Sequence, residues 1–353
     1  MSTSELTEPG PVRLAGGVEL PDRMRVNVMA RPGVAVVEHR ALPAVGRGDV
    51  LVRVGAVGVC GSDVHWFRHG RIGDLAVSAP LVLGHEASGT VVGVGDGVEE
   101  SLLGLRVSVE PQVPCRRCRQ CHGGRYNLCP DMRFLGTPPI DGAFAEYLAV
   151  PADFVYPVPD GVSDEAAALL EPLSVGVWAN QKARVGPGAR VLVTGGGPIG
   201  LIAAQVALAF GAGEVVVSDV SPQRLAAAES FGARAVDARG DLGSDYDAFL
   251  ECSGAQAAVS AGIRATGRAG AVVLVGMGPA EVTIPLSVVQ QRELRVTGTF
   301  RYADTWPLAL DLVSRGVVDL DRLVTSHHPL ADAATPPDPT DPAELKAVVH
   351  PGD

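Results

Sequence analysis

Lysine is almost missing from this chain. Of 29 basic residues only Lys182 and Lys346 are lysines, the rest being arginine, a bias that reads as genomic composition and carries no functional message. Positive charge is in deficit overall: 40 acidic groups leave a net charge of −11, which removes nucleic acid as a default partner. Aromatic residues are scarce at 5%, and charged residues, at 20%, fall below the usual quarter. Long apolar runs are lacking too. Leu201–Ala212 is interrupted by Gln205 and Gly211, and Ala269–Gly278 by Gly270 and Gly276, so neither approaches the ~20 residues that span a bilayer. Residues 1–24 carry Glu5, Glu8, Glu19 and Asp22 where a secretory signal has a basic start and an apolar stretch. A cytoplasmic protein without a membrane or nucleic-acid partner is expected. What the chain does have is 353 residues, 46% of them hydrophobic, and 43 glycines, enough for about two domains with ample cores and many tight turns.

The texture changes part-way along. From Gly33 to about Val155 short β-like runs alternate with Gly and Pro: Val34–Val37, Asp49–Val59, Ser88–Val94, Arg106–Val109 and Ala143–Val150, the pattern of an antiparallel barrel-like module. From Arg190 strands alternate with helices. Arg190–Thr194 reads as a strand, Pro198–Phe210 as a helix and Val215–Asp219 as a second strand; Ser221 then caps a helix with Pro222 at its first position and Gly232 at its end. Tyr246–Cys252, Ala271–Val275 and Glu293–Thr299 are further strands, so an α/β fold with a doubly wound parallel sheet is expected. Thr335–Pro342, rich in proline and aspartate, reads as a surface loop.

Between the first strand and helix of that second half, Gly195, Gly197 and Gly200 satisfy G-x-G-x-x-G, with Pro198 and Ile199 between the last two. The first glycine allows the tight turn, the second lets the backbone approach a pyrophosphate, and the third lets helix and strand pack closely. The helix N-terminus adds unpaired N–H groups and about half a positive charge. Asp219 ends the next strand 19 residues after Gly200, where a carboxylate accepts ribose hydroxyls and repels a ribose phosphate. NAD is therefore expected over NADP, with Arg224 available to stack on adenine or to tolerate some NADP.

Four of the six cysteines, Cys115, Cys118, Cys121 and Cys129, fall in one loop. Four soft thiolates suit a closed, structural tetrahedral zinc, and Arg116, Arg117 and Arg119 are placed to offset their charge. Disulfides are the rival arrangement, disfavoured in a cytosolic chain. A second set is scattered: Cys60 before Gly61-Ser62-Asp63-Val64-His65, His85-Glu86 after Gly84, and Glu171 before Pro172. One thiolate, one imidazole and one or two carboxylates can make a catalytic zinc site with an open position. Spacing alone leaves this no better supported than a buried apolar cysteine beside a core histidine.

These residues lie in runs that, in order and spacing, resemble the zinc-dependent medium-chain dehydrogenases, and specifically their polyol (sorbitol) dehydrogenase branch, over nearly the whole chain. The runs are Val57–His65, Gly70–Asp74, Leu83–Gly89, Glu171–Gly176, the glycine loop, and Phe300–Pro307, the last pointing to the polyol branch. The resemblance implies a GroES-like β-barrel catalytic domain over 1–172 with a zinc lobe at 111–132, a Rossmann NAD-binding domain over 173–305, and a return to the catalytic domain over 306–353. It implies catalytic zinc on Cys60, His85 and Glu86, with Glu171 as ligand or holder of zinc-bound water, Asp63 orienting the histidine, and Ser62 and His65 on the proton path. Arg301 and Tyr302 would meet substrate or cofactor, and Ile199, Asp219, Arg224, Val275, Met277 and Thr299 would line the NAD site. A homotetramer or homodimer is implied as well. Three departures stand out. Residues 1–24 form a longer leader, expected to be a mobile arm; Thr335–Pro339 breaks the helix expected after Leu330-Ala331-Asp332; and Trp66 replaces a hydroxyaromatic, which would reshape the substrate pocket. The expected activity is oxidation of a secondary alcohol of a polyol to the ketose with NAD. A 2,3-diol, a threonine-like amino-alcohol or a cyclitol or aminocyclitol are rival substrates, and a non-catalytic NAD- and zinc-binding protein is a distant alternative.

Overall fold

The computed structural model describes residues 12–333, 341 and 343–353. Two sheets organise it. The first, mainly antiparallel and eight-stranded, runs in the order Val155–Pro157, Arg106–Val109, Glu86–Val94, Asp49–Gly58, Lys346–His350, Val324–Pro329, with Tyr147–Pro151 also on Asp49–Gly58 and Arg13–Leu14 also on Glu86–Val94. Its long strands are valine-rich and enclose a core that includes Val50, Val52, Val91, Val107, Val109 and Phe144. A three-stranded sheet, Val34–Ala41, Arg23–Arg31 and Leu81–Val82, closes over it.

The second sheet is parallel throughout, in the order Arg234–Asp237, Glu214–Asp219, Arg190–Thr194, Tyr246–Glu251, Thr266–Leu274, Arg295–Gly298. In chain order that is 3-2-1-4-5-6, so the strand order reverses beside Arg190–Thr194, where doubly wound sheets open a cofactor crevice. Both faces are covered, which is why its strands read as near-continuous Val, Leu and Ala runs and not as alternation. One face carries the helices Leu170–Ala183, Pro198–Ala209 and Trp306–Ser314 in a single core; the other buries Tyr246, Phe249, Val259 and Ile263.

Three expectations change. The segment 1–24 is not a free arm throughout: Arg13 pairs with Val94 and Leu14 with Gly93, while the Arg13 guanidinium donates to the carbonyls of Gly95 and Val98. Residues 1–11 and the prolines of 335–339 lie outside the described residues. The strand Arg23–Arg31 precedes Gly33, where the expected β-runs begin; along it Met24, Val26 and Val28 point inward, and Arg25 is paired with Glu146 at 2.8 Å. Finally, the chain rejoins the barrel later than residue 306. Trp306–Ser314 shares the core of the parallel sheet, and Val324–Pro329 is the first later segment paired into the eight-stranded one.

Candidate active site and cofactor crevice

The strand Asp49–Gly58 ends at the barrel rim, and Cys60 caps the helix Gly61–His69 that follows. Leu81–Val82 leads through Gly84, at φ 89°, to His85 and to Glu86, the first residue of the strand Glu86–Val94. Gly84 cannot be larger: a Cβ there would stand 2.8 Å from the Phe144 ring. These turns bring one donor atom each from Cys60, His85 and Glu86 within 4.8 Å of one another. Thiolate, imidazole and carboxylate are the donor types of a catalytic zinc, and three protein ligands leave a fourth position open, so this set fits the metal. Asp63, buried on the same helix, accepts N–H bonds from Cys60 and Gly84, both at 3.0 Å, and faces His85 Nδ1 at 3.5 Å. Burial alone would raise the Asp63 pKa, but the His85 imidazole and the two amides outweigh it and hold the carboxyl below its usual range. One carboxylate thus ties together the turn carrying Cys60 and the turn carrying His85, and aims the ring.

Glu171, in the first turn of the helix Leu170–Ala183, lies outside that three-atom cluster, and its Oε1 accepts the Tyr302 hydroxyl at 2.8 Å. Burial and the neighbouring Glu86 push its pKa up to about 7, against the pull of His85, Tyr302 and Lys346. The Tyr302 phenol, wholly buried and facing that carboxylate, is driven well above its ordinary range, so it serves as a hydrogen donor.

One residue at the site was passed over in the sequence. Lys346 is 5% exposed, and its ammonium lies 2.6 Å and 2.7 Å from the two oxygens of Glu86 and 2.9 Å from the Val59 carbonyl. Its scarcity as a lysine was the available signal, hidden by the arginine bias. A buried carboxylate without a counter-charge costs several kcal/mol, and at 1% exposure Glu86 has this ammonium as its ion-pair partner.

A second overlooked group is Glu110. It accepts the hydroxyls of Tyr126 (2.8 Å) and Tyr156 (3.0 Å) and the Gln112 amide (3.2 Å), and burial raises its pKa. Tyr126 in turn accepts from the Asp304 amide at 2.8 Å, Gln112 donates to the Tyr302 carbonyl at 2.9 Å, and Asn127 to the Phe300 carbonyl at 2.8 Å. The cysteine lobe is thereby fastened to the loop bearing Arg301 and Tyr302. Arg301 and Asp304 hold left-handed backbone angles, φ 55° and 54°, a strained arrangement these bonds sustain. The Arg301 guanidinium lies over the Phe134 ring at 4.1 Å.

In that lobe the sulfurs of Cys115, Cys118, Cys121 and Cys129 also lie within 4.8 Å of one another. Cys118 and Cys121 are 3.4 Å apart at sulfur, far beyond a disulfide bond of about 2.05 Å, and all four are free thiols gathered as four tetrahedral ligands would be. Arg116 does not offset their charge as expected. It pairs with Asp153 at 2.7 Å and lies over the Phe154 ring.

The remaining expected residues divide. Ser62 is half-buried one residue from Asp63, whereas His65 is exposed, its ring centroid 4.6 Å from that of His69 and tilted 57° to it. Trp66 is 3% exposed within the barrel core, so its bulk is spent in packing.

At the crevice, Gly195 has φ 92°, and a Cβ on Gly200 would lie 1.7 Å from the Gly195 carbonyl. Gly197 caps the helix Pro198–Ala209 with no side-chain bond and has open space around it, leaving the helix N–H groups bare for a pyrophosphate. Ile199 follows in the first turn. Asp219 accepts from the Gly196 amide (2.7 Å) and the Ser221 amide (2.8 Å) and faces Arg224 at 3.9 Å. Opposite, Glu251 was not foreseen: buried, it accepts from the amides of Ser253 (2.8 Å) and Gly254 (2.9 Å) and shapes the loop after its strand. A Cβ on Gly254 would strike the Met277 carbonyl at 1.9 Å, so this loop and the one carrying Val275 and Met277 touch backbone to backbone. Thr299 bonds the Leu274 carbonyl through its amide, and desolvation pushes the thiol of half-buried Cys252 far up.

The alcohol dehydrogenase GroES-like domain model matches residues 46–160, and the zinc-binding dehydrogenase model matches 198–315. Sorbitol dehydrogenase of Bacillus subtilis is 40% identical over 88% of this chain and 92% of its own, and that of Gallus gallus 44% identical over 87% and 90%. The chain belongs to the sorbitol dehydrogenase family of zinc-binding alcohol dehydrogenases. As an enzyme of this family it uses NAD and zinc. Among solved structures, 2R,3R-butanediol dehydrogenase from Bacillus subtilis superposes with a TM-score of 0.84 at 30% identity, covering 93% of this chain and 99% of that one. Among the described residues no helix is long and apolar enough to cross a membrane.

Replacing Lys346 with Met removes the ammonium partner of the buried Glu86 carboxylate. The expected outcome is a loss of about 3–5 kcal/mol of stability in urea unfolding, with lowered zinc content. A variant as stable and as zinc-loaded as the parent would contradict the role given to this ion pair.

Proposed function

We propose that this enzyme oxidises a secondary alcohol of a polyol such as sorbitol, xylitol or iditol to the ketose, with NAD as acceptor. The observation that carries this is the three-donor cluster of Cys60, His85 and Glu86 with Glu171 and the Tyr302 loop beside it, in a chain 40–44% identical to sorbitol dehydrogenases. When bound, zinc acidifies a hydroxyl and the nicotinamide ring accepts hydride.

The chain's own residues do the rest. Cys60, His85 and Glu86 would hold the metal from one side, and Asp63 would keep His85 aimed. Glu171, with a pKa near 7, can take up a proton close to its own carboxylate, and Tyr302 fixes that carboxylate's orientation. Ser62 and exposed His65 would pass the proton outward. Arg301, on the same loop as Tyr302, offers donors to further substrate hydroxyls. Gly197 and the bare helix N-terminus would seat the pyrophosphate, and Asp219 the ribose, favouring NAD. The likeness to butanediol dehydrogenase supports a 2,3-diol as the second reading. A homo-oligomer is part of this proposal: the parallel sheet ends at Arg295–Gly298, which has no further strand beyond it among the described residues, with Leu286, Val296 and Phe300 exposed nearby.

A screen of sorbitol, xylitol, threonine, butanediol and cyclitols with NAD, read as absorbance of the reduced cofactor, tests the substrate class. Turnover greatest on a linear polyol is expected; turnover of butanediol alone would transfer the assignment to the diol. With the preferred substrate, kcat/KM should rise as pH increases through about 7, where Glu171 loses its proton. Glu171→Gln should flatten that limb and lower kcat about a hundredfold. An unchanged limb in the Gln variant would remove Glu171 as the proton acceptor.

A further inference from the structure

Away from the zinc cluster and the cysteine lobe, a third set of metal-type donors comes together on the surface. Glu165 lies in the short helix Asp164–Ala168, His327 in the strand Val324–Pro329 and His350 at the end of Lys346–His350. Glu165 Oε1 is 3.0 Å from His327 Nδ1 and 3.1 Å from His350 Nε2, and the two ring nitrogens are 3.3 Å apart. The rings lie nearly parallel, at 26°.

Hydrogen bonding does not account for this triangle. Each imidazole nitrogen carries at most one hydrogen. If both donate to the carboxylate, the nitrogen–nitrogen approach sets two hydrogens against each other. If one imidazole donates to the other, the acceptor turns a lone pair toward the carboxylate oxygen. At most two of the three approaches are favourable in any protonation state. A cation at the common focus uses all three lone pairs at once. Ligands at about 2.1 Å from a metal lie roughly 3.0 Å apart on an octahedral face and roughly 3.4 Å apart on a tetrahedral one, and the three separations here fall between these.

We propose that Glu165, His327 and His350 form a further divalent metal site, taking zinc-class cations through two imidazoles and a carboxylate with its remaining positions open to solvent. The His327 side chain is 58% exposed, so a cation has direct access. The ligands come from three segments, so a bound ion would cross-link the strands of the chain's return to the helix that runs on toward Glu171. Imidazole-rich sites prefer Zn2+, Ni2+ and Cu2+ over Mg2+ or Ca2+.

The test is calorimetric titration of the untagged zinc enzyme, dialysed in metal-free buffer, with Zn2+ alone and then with Mg2+. The wild-type protein should take up one further Zn2+ per chain in the micromolar range and no Mg2+, with Tm rising by roughly 2–4 °C at saturation. His327→Ala and His350→Gln should each weaken that uptake about tenfold or more and abolish the Tm rise, with alcohol oxidation before metal addition unchanged as evidence of an intact fold. The proposal is overturned if the wild-type protein takes up no further Zn2+, if Mg2+ binds as well as Zn2+, or if the His327→Ala protein, active and folded, titrates like the wild type.

Discussion

Five ionisable groups crowded out of water set the terms for this molecule. Asp63, His85, Glu86, Glu171 and Lys346 are all buried around the three zinc-type donors. Left singly, each would cost several kcal/mol or change its protonation state. Paired, they settle into distinct roles: Asp63 braces His85, Lys346 neutralises Glu86, and Glu171, held by a tyrosine hydroxyl, stays poised near neutrality. Carboxylates within one pocket are thereby pushed to different pKa values by their surroundings, as acid–base chemistry near pH 7 requires.

The wider architecture serves that balance. Lys346 reaches Glu86 only because the chain returns to the barrel and lays Lys346–His350 between Asp49–Gly58 and Val324–Pro329. Tyr302 reaches Glu171 because the Phe300–Asp304 loop is strapped to the cysteine lobe through Tyr126, Asn127 and Gln112, and because Trp306 donates from the next helix to the Ser108 hydroxyl at 3.1 Å. The four-cysteine lobe, distant in kind from the chemistry, thus bears on where Tyr302 stands.

Much of this was legible in the residues. The glycine loop, the strand–helix alternation and the four cysteines are local patterns whose spacing specifies backbone geometry, and Gly195, at φ 92°, and Gly200, whose Cβ would strike the Gly195 carbonyl, meet the steric demand assigned to them. Cys60, His85 and Glu86 could be brought together only by resemblance, since the turns that join them are long-range. What escaped notice was long-range in the same sense. Lys346 and Glu86 are 260 positions apart, and Glu110 and Glu251 look like ordinary strand residues until their partners are in place. Trp66 misled because a large aromatic beside a site motif suggests a pocket wall, while helix geometry turns it into the barrel core. Along the strand Arg23–Arg31 the arginine heads reach water or an acidic partner while the residues between them fill the core.

We propose that Cys60, His85 and Glu86 hold a reactive zinc separate from the closed site of the four-cysteine lobe. Counting zinc in the purified, dialysed Cys60→Ser protein tests it most directly. One zinc per chain where the parent holds two, with polyol oxidation abolished and NAD binding retained, is the predicted result. Two zincs per chain with full turnover would contradict the account.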